Sequence, residues 1–297
     1  EAGLDLNVFR NRGTFAVTGF RRNISDLLIT RTLAPTSGFS SETSNGAEMQ
    51  VTGAEVSINA FPIQTPTWGW NARLNWGTSR SKVTNLPVAP FLLGTLQTGA
   101  VRIEQGKSAT QIYGNDTLPQ AGGRVVVPVL MGDGNPLWSA GLSNEVRFKS
   151  VSLYALLDQQ KGGMLANGTW RHYDLGQNSR DYEELDALGR KLGEVRRTNY
   201  RQVTLIFYQD ASYVKLREVT LTWDIPQKWV AKTWAGASGA KLSLSGRNLY
   251  WWTKFRGGDP EAQNFGAGGV PDAIQRNREL AAYPASRSYW LNFSLDF

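Results

Sequence analysis

The chain has 297 residues, with 32 Lys and Arg against 25 Asp and Glu for a formal charge of +7, one histidine and no cysteine. That inventory excludes disulfide frameworks, Cys-ligated zinc, iron–sulfur clusters and thiol catalysis, and the lone His172 excludes two-His metal sites within the chain. Glycine at 31, beside 11 Trp, 10 Tyr and 12 Phe, is a β-rich balance in which glycine serves turns and kinks.

The N-terminal residues Glu1-Ala2-Gly3-Leu4 carry neither a basic stretch nor an apolar leader, so the chain is expected to be a piece of a longer protein. The longest apolar run, from Val125 to Met131, is broken by Pro128 and is far short of the roughly 18 residues a transmembrane helix needs. A membrane β-strand needs only about 9–11 residues with alternate positions apolar.

Alternation is the dominant pattern along the chain. It predicts about nine strands, at 3–10, 14–30, 46–60, 68–84, 141–149, 151–160, 211–224, 240–252 and 286–297. In the fourth, Trp68, Trp70, Ala72, Leu74 and Trp76 oppose Gly69, Asn71, Arg73, Asn75 and Gly77. In the last, Tyr289, Leu291, Phe293, Leu295 and Phe297 share one face. Two strands change face partway: Met49 and Val51 are odd but Val56 and Ile58 even, and Val214 and Leu216 are even but Val219 and Leu221 odd. A one-residue bulge, near Gly53 in the first case, would restore a single apolar face in each.

The connections sort by length. Those at 11–13, 61–67, 149–150 and 225–239 are short or moderate; those at 32–45, 85–140, 161–210 and 253–285 are long, polar and rich in Gly and Pro. In a meander every second connection returns to the same end, so one end carries tight turns and the other large loops, as in outer-membrane barrels. Within the loops, Tyr182, Leu185, Leu188 and Leu192 stand at helical spacing, predicting a helix over 181–192 capped by Ser179 or Asp181. Asp133-Gly134-Asn135-Pro136 predicts a tight turn.

Both a soluble sandwich and a membrane barrel alternate. The barrel places Asn71, Arg73, Asn75, Ser243, Ser245 and Arg247 toward a wet lumen and the apolar residues toward lipid, with Trp68, Trp76, Tyr250, Trp252, Tyr289 and Phe297 near the interfaces. Chemical motifs add little. Gly106-Lys107-Ser108 lacks the glycine and the strand–helix frame of a phosphate loop. His172 reads as a solvated loop residue, and Glu183, Glu184 and Asp186 as a wet face. The basic residues form no stripe, which argues against nucleic acid; positive loops would suit lipopolysaccharide or anionic solutes.

The C-terminal third carries a resemblance. Ala211-Ser212-Tyr213-Val214-Lys215-Leu216-Arg217-Glu218-Val219-Thr220-Leu221-Thr222-Trp223-Asp224-Ile225-Pro226 resembles a late strand of SusC/RagA-type TonB-dependent outer-membrane transporters. Ser245-Gly246-Arg247-Asn248-Leu249-Tyr250-Trp251-Trp252-Thr253 is similar to the family's Gly-x-Asn-Leu strand end. Gly257-Gly258-Asp259-Pro260-Glu261 is similar to its Asp-Pro-Glu loop element, and Tyr283-Pro284-x-x-Arg287 leads into a closing strand.

The resemblance implies an all-β fold: an antiparallel up-and-down transmembrane barrel portion of about nine strands out of 22, with long extracellular loops. Residues 1–297 would be the C-terminal part of the barrel, with the plug domain, the TonB box and earlier strands elsewhere. It implies import of glycans, oligosaccharides or peptides across the outer membrane of a Gram-negative-type bacterium, without catalysis, cofactor or metal. The implied partners are a SusD-like lipoprotein lid, TonB, ExbB and ExbD acting through the missing part, the barrel-assembly machinery and outer-membrane lipid. Tyr289, Leu291, Phe293, Leu295 and Phe297 resemble the signal read by that machinery. Trp170, Trp251, Trp252, Phe255 and Phe265 are candidate sugar-stacking rings, with girdle or loop-core packing as the plainer reading. Asp259, Pro260 and Glu261 read first as loop architecture and second as a ligand site. The alternative from another class is a secreted or surface β-sandwich that binds glycans; an enzyme on a β-scaffold would rest on His172 and scattered carboxylates alone.

Overall fold

A computed structural model describes residues 1–10, 12–33, 35–234, 236–262, 277–283 and 285–297. The strands are β1 (Ala2–Val8), β2 (Gly13–Thr32), β3 (Ser41–Gln64), β4 (Trp68–Asn85), β5 (Phe91–Thr95), β6 (Gly99–Ile103), β7 (Gln111–Gln120), β8 (Gly123–Asp133), β9 (Trp138–Phe148), β10 (Val151–Lys161), β11 (Met164–Asn167), β12 (Tyr208–Asp210), β13 (Tyr213–Asp224), β14 (Gly239–Thr253), β15 (Arg278–Glu279) and β16 (Ser288–Asp296). Short helices α1 (Gly168–Leu175), α2 (Leu192–Asn199) and α3 (Gln227–Thr233) lie between them.

Among the described residues, nine strands form one sheet in the order β1-β2-β3-β4-β9-β10-β13-β14-β16, each pairing antiparallel with the next in the chain apart from its insertions. The registers place apolar residues side by side across the whole sheet. Leu4 faces Val17, Val17 faces Val56, and Val56 faces Trp76. Further along, Trp70 faces Val146, Val146 faces Leu153, Leu153 faces Leu221, Leu221 faces Leu244 and Leu244 faces Leu291. This belt is outside the packed interior: Leu244 is 54% exposed and Leu291 73%. A sandwich would bury such a face under a second sheet. Here no second sheet lies over the apolar face among the described residues, and the loops fold onto the polar one, so the sheet is an open section of barrel wall with its apolar side outward. One outward polar residue, Asn144, accepts a hydrogen bond from the Trp70 indole at 3.1 Å.

The connections sort as expected. At one end lie the turns before β2, β4 and β10 and the α3 segment; at the other lie every large insertion. The turn residues Phe9, Arg10 and Lys149 take positive φ, as tight hairpins of this twist require. The α3 end has its own small core, in which Val230, Ala237 and Ala240 are buried with Leu295 packed against them.

Four expectations are corrected. The connection expected at 32–45 shrinks to 33–40, because β2 and β3 continue as a hairpin of 20 and 24 residues. The bulge expected near Gly53 is absent: Phe20–Gly53 and Gly53–Ser79 stand in unbroken register. Met49 instead faces inward, in register with Val83, in the region where Val83 and Ala47 pack against Phe91 and Ile103 of the β5–β6 hairpin. Gly53 is glycine because the Phe20 ring lies where its Cβ would be. The bulge expected in β13 is present, between Leu216 and Glu218. Third, residues 181–191 form turns and a Leu185–Lys191 bridge, not a helix. The Asp186 side chain accepts from the backbone N–H groups of Leu188 and Arg190 at 2.9 Å, and Gly189 adopts φ +72°. Such local bonds compete with helix, and α2 begins only at Leu192.

Fourth, the long segment expected at 85–140 holds a four-stranded sheet ordered β5-β6-β7-β8. Pro128, which interrupts the apolar run, is accommodated because β8 is an edge strand. The expected turn at Asp133 is present, with Asn135 N–H donating to the Asp133 carboxylate at 2.8 Å.

The face assignment has a direct test at adjacent positions of β14. In the full-length protein, Leu244→Arg sets a charge in the outer belt and should cost about 2–4 kcal/mol near mid-membrane, whereas Ser243→Arg points inward and should cost far less. Folding from urea into lipid vesicles measures both; equal costs would contradict the assignment.

Candidate functional site

The polar face of β13 carries Tyr213 and Lys215, with Arg217 in the bulge and Asp158 of β10 beside them. The loop after β14 folds back onto this row. Lys215 Nζ donates to Asp259 and to Glu261, both at 2.5 Å. Glu261 also accepts from Tyr213 Oη at 2.8 Å and from Arg217 at 2.5 Å, and Arg217 bridges on to Asp158. Pro260 between the carboxylates is fully buried, and Asp259 and Lys215 are buried. Asp259 also accepts from the Glu261 backbone N–H at 2.9 Å, so the turn presents both carboxylates to the strand. The Asp-Pro-Glu element and the Tyr-x-Lys-x-Arg strand are two halves of one latch that ties the loop to the inner wall.

Burial alone would raise the Glu261 carboxyl, but the hydrogen bonds from Arg217, Lys215 and Tyr213 outweigh it and hold the group at about 2, from an ordinary 4.5. A depressed acid stabilises the folded loop fully above its unfolded value and loses that contribution as pH falls through the folded one. The latch therefore weakens between about pH 4.5 and 2.

Behind the latch, the segment between β10 and β13 builds a second ionic centre. Asn167 caps α1 by accepting from Trp170 N–H at 2.8 Å, the arrangement an Asn favours at a helix start. α2 then delivers Arg196, whose guanidinium grips Asp174 twice, at 2.5 and 2.7 Å, and Asp181 at 2.8 Å. Ser179 donates to Asp174 at 2.6 Å and the Trp170 indole to Asp181 at 3.2 Å. For Asp181, burial opposes ionisation, yet the bonds from Arg196 and Trp170 keep its carboxyl below the usual range. The Arg196 and Arg256 guanidiniums lie 4.1 and 4.9 Å from the Trp170 ring centroid. A cleft of about 910 Å³ opens beside this centre, lined by Trp170, Tyr173, Arg180, Glu184, Arg256 and Tyr283 among others.

The structure does not gather the candidate rings on one surface. Trp170 lines the cleft and is clasped by the two arginines. Phe255 is buried with Leu165 and Ala211. Trp251 lies on the inner face opposite Lys215, with the Arg287 guanidinium 6.0 Å away. Trp252 lies on the outer face opposite Val214, its ring 4.8 Å from Tyr250, where an interfacial girdle would stand. Phe265 lies outside the described residues. Tyr289, Leu291, Phe293 and Leu295 face outward on β16, and Phe297 follows the strand end. His172 is exposed on α1. Among the described residues no cluster of three or more His, Asp or Glu has metal-holding geometry.

Sequence reasoning left out Asp158, Lys215 and Arg217 as partners of the loop motif. Their signal was the run of ionisable residues at inward positions of a wall strand. The grouping of Asp174, Asp181 and Arg196 was not legible either: Asp181 read as a candidate helix cap, and the other two lie outside the expected helix.

Comparison with known proteins completes the description. The family model "TonB dependent receptor-like, beta-barrel" matches residues 1–249. The chain belongs to that family. It is 23% identical to TonB-dependent receptor P3 of Formosa agariphila, over its whole length and 34% of that protein. It is 24% identical to TonB-dependent receptor SusC of Bacteroides thetaiotaomicron, over 31% of that protein. The solved RagAB peptide transporter superimposes on 99% of the chain with a TM-score of 0.75 at 22% identity, and the chain covers 34% of it. The chain thus spans about a third of the length of these relatives.

For the latch, Lys215→Met in the full-length protein leaves Asp259 buried and unpaired. Breaking a buried pair in this way costs about 3–5 kcal/mol. The expected result is faster limited proteolysis within 254–287. Lowering the pH from 5 to 3 should accelerate cleavage of the same loop in the parent protein; a cleavage rate flat across that interval would contradict the Glu261 assignment.

Proposed function

We propose that the chain forms the C-terminal wall and surface loops of an outer-membrane importer. The carrying observation is the apolar belt running unbroken across nine antiparallel strands, with polar residues and anchored loops on the opposite face. In lipid every backbone polar group needs a partner within the protein, so the unpaired edges of β1 and β16 call for further strands that close the wall. On this reading the barrel has 22 strands, and the plug and TonB box lie in the portion of the protein outside this chain. TonB, ExbB and ExbD then supply the energy, and a SusD-like lipoprotein closes the loop end. Membership of the receptor family and the likeness to SusC support this reading, as does the RagAB structure, described as a peptide importer.

The cargo on this reading is an oligosaccharide or a peptide, met first by the loop platform around the Trp170 cleft. The closing strand β16, with its outward Tyr289, Leu291, Phe293 and Leu295, serves both lipid contact and recognition by the barrel-assembly machinery. No residue is assigned a catalytic role.

Two measurements on the full-length gene product test the proposal. The protein should sediment with outer membranes and need detergent for release; recovery in the aqueous fraction would sink the reading. A deletion strain should fail to deplete at least one member of a panel of oligosaccharides and short peptides from the medium. Unchanged depletion of the whole panel would remove import as the function while leaving the barrel intact.

A further inference from the structure

The cations of the two ionic centres are matched: Lys215 and Arg217 by Asp259, Glu261 and Asp158, and Arg196 and Arg256 by Asp174 and Asp181. Several other arginines of the loop platform are not, among them Arg180 at the cleft and three that lie around one tyrosine and one strand. Arg171 stands on α1, Arg201 just after α2, and Arg278 opens β15. Among the described residues, none of the three is paired with a carboxylate.

Two of them share one aromatic ring, and the third is held on the strand beside α1. The Arg171 and Arg201 guanidiniums lie 4.8 and 5.4 Å from the centroid of one ring, Tyr200. Arg201 Nε also donates to the Tyr200 hydroxyl at 2.7 Å. Arg278 is fixed by donating to the Thr98 carbonyl at 3.1 Å, an oxygen that also accepts from the buried Tyr208 hydroxyl at 3.3 Å. Gly99 permits this approach, since any Cβ there would fall on the Tyr208 hydroxyl. Arg171 has its Nε shut off from solvent with no acceptor. Burial, then the positive charges of Arg278 and Arg201, push the Arg171 pKa down.

Like charges gathered around one ring repel, and an aromatic face offsets only part of the cost. A guanidinium stacked on a ring keeps its in-plane N–H edge free, and that edge fits a carboxylate or a tetrahedral oxoanion. Arg171 and Arg201 on one ring, with the charge of Arg278 felt at Arg171, are therefore donors with no carboxylate among the described residues.

We propose that Arg171, Arg201 and Arg278 bind an anionic group, a carboxylate or a sulfate, carried by a soluble solute reaching the loop platform. The proposal rests on the import reading for the origin of the solute, not for the binding itself. Calorimetric titration of the detergent-solubilised full-length protein tests it with tetragalacturonate, neutral maltotetraose and sodium sulfate as probes. Tetragalacturonate or sulfate should bind, maltotetraose at least tenfold more weakly, and added salt should weaken the anionic probe. Arg171→Gln and Arg278→Gln should each weaken the anionic probe about tenfold or more, the scale of a lost charged hydrogen bond.

Arg201→Gln, at an exposed side chain, gives a variant whose folding is not at stake. Arg190→Gln, whose parent residue pairs with Asp186, should bind as the parent protein does. Equal affinity across all variants, or no affinity for either anionic probe, overturns the proposal. So does loss of binding to vesicles containing lipid A phosphates with tetragalacturonate affinity unchanged, which would assign the cluster to a lipid headgroup. Anion binding that persists in a protein unable to support uptake counts against the import reading alone.

Discussion

The structure depends on an inversion of the usual solvent preference: the sheet turns its apolar face outward and keeps its polar face in. In water such a wall would expose a belt of leucines, valines and tryptophans far larger than soluble proteins carry. In lipid the same belt costs nothing, and the constraint passes to the backbone, whose N–H and C=O groups must all be paired between strands. Strand-by-strand antiparallel pairing in chain order satisfies that constraint with minimal crossing. It also explains why turns gather at one end and insertions at the other, since every second connection returns to the same side.

Once the apolar side chains face out, they are unavailable to hold the loops. The insertions use two other means. The β5–β8 sheet packs through a small inner core of Ile29, Ala47, Val83 and Leu86. The loop after β14 has only Phe255 packed against Leu165 and Ala211 and is otherwise fastened by charge. Asp259 and Glu261 close on Lys215 and Arg217, whose positions are set by the wall. Ion pairs are weak on an exposed surface, but these are largely withdrawn from water, where breaking one partner is costly. The bulge at Arg217 contributes directly: the extra residue restores the apolar face of β13 and also brings a second cation to Glu261.

The wall was legible because period-two alternation persists through long strands, and the outward face of β14 or β16 is uniform enough to be read from spacing alone. The bulge in β13 was legible for the same reason, as a change of parity in an otherwise regular run. The apparent bulge at Gly53 was not, because parity records which residues are apolar and not what covers them. Met49 changes face because an insertion lies over it, a fact held by residues some forty positions later. Residues 181–192 misled through their leucines: the spacing is helical, but Asp186 takes the backbone donors and Gly189 reverses the chain. The latch was visible in two separate pieces, and only the fold joins Asp259 and Glu261 to Lys215 across a separation of more than forty residues.

The contrast among the arginines follows from these constraints. A cation on the inner face of a wall, or in the interior of a loop cluster, is costly unless a carboxylate is placed opposite it. The chain places one for Arg196, Arg217 and Arg256. Arg171 and Arg201 meet the Tyr200 ring in place of a carboxylate, and Arg278 meets the Thr98 carbonyl. A ring lowers the cost of gathering positive charge without neutralising it. A loop platform built in this way holds itself together with matched charges and leaves another set without carboxylates, so that the same side-chain type anchors in one place and is left unneutralised in another.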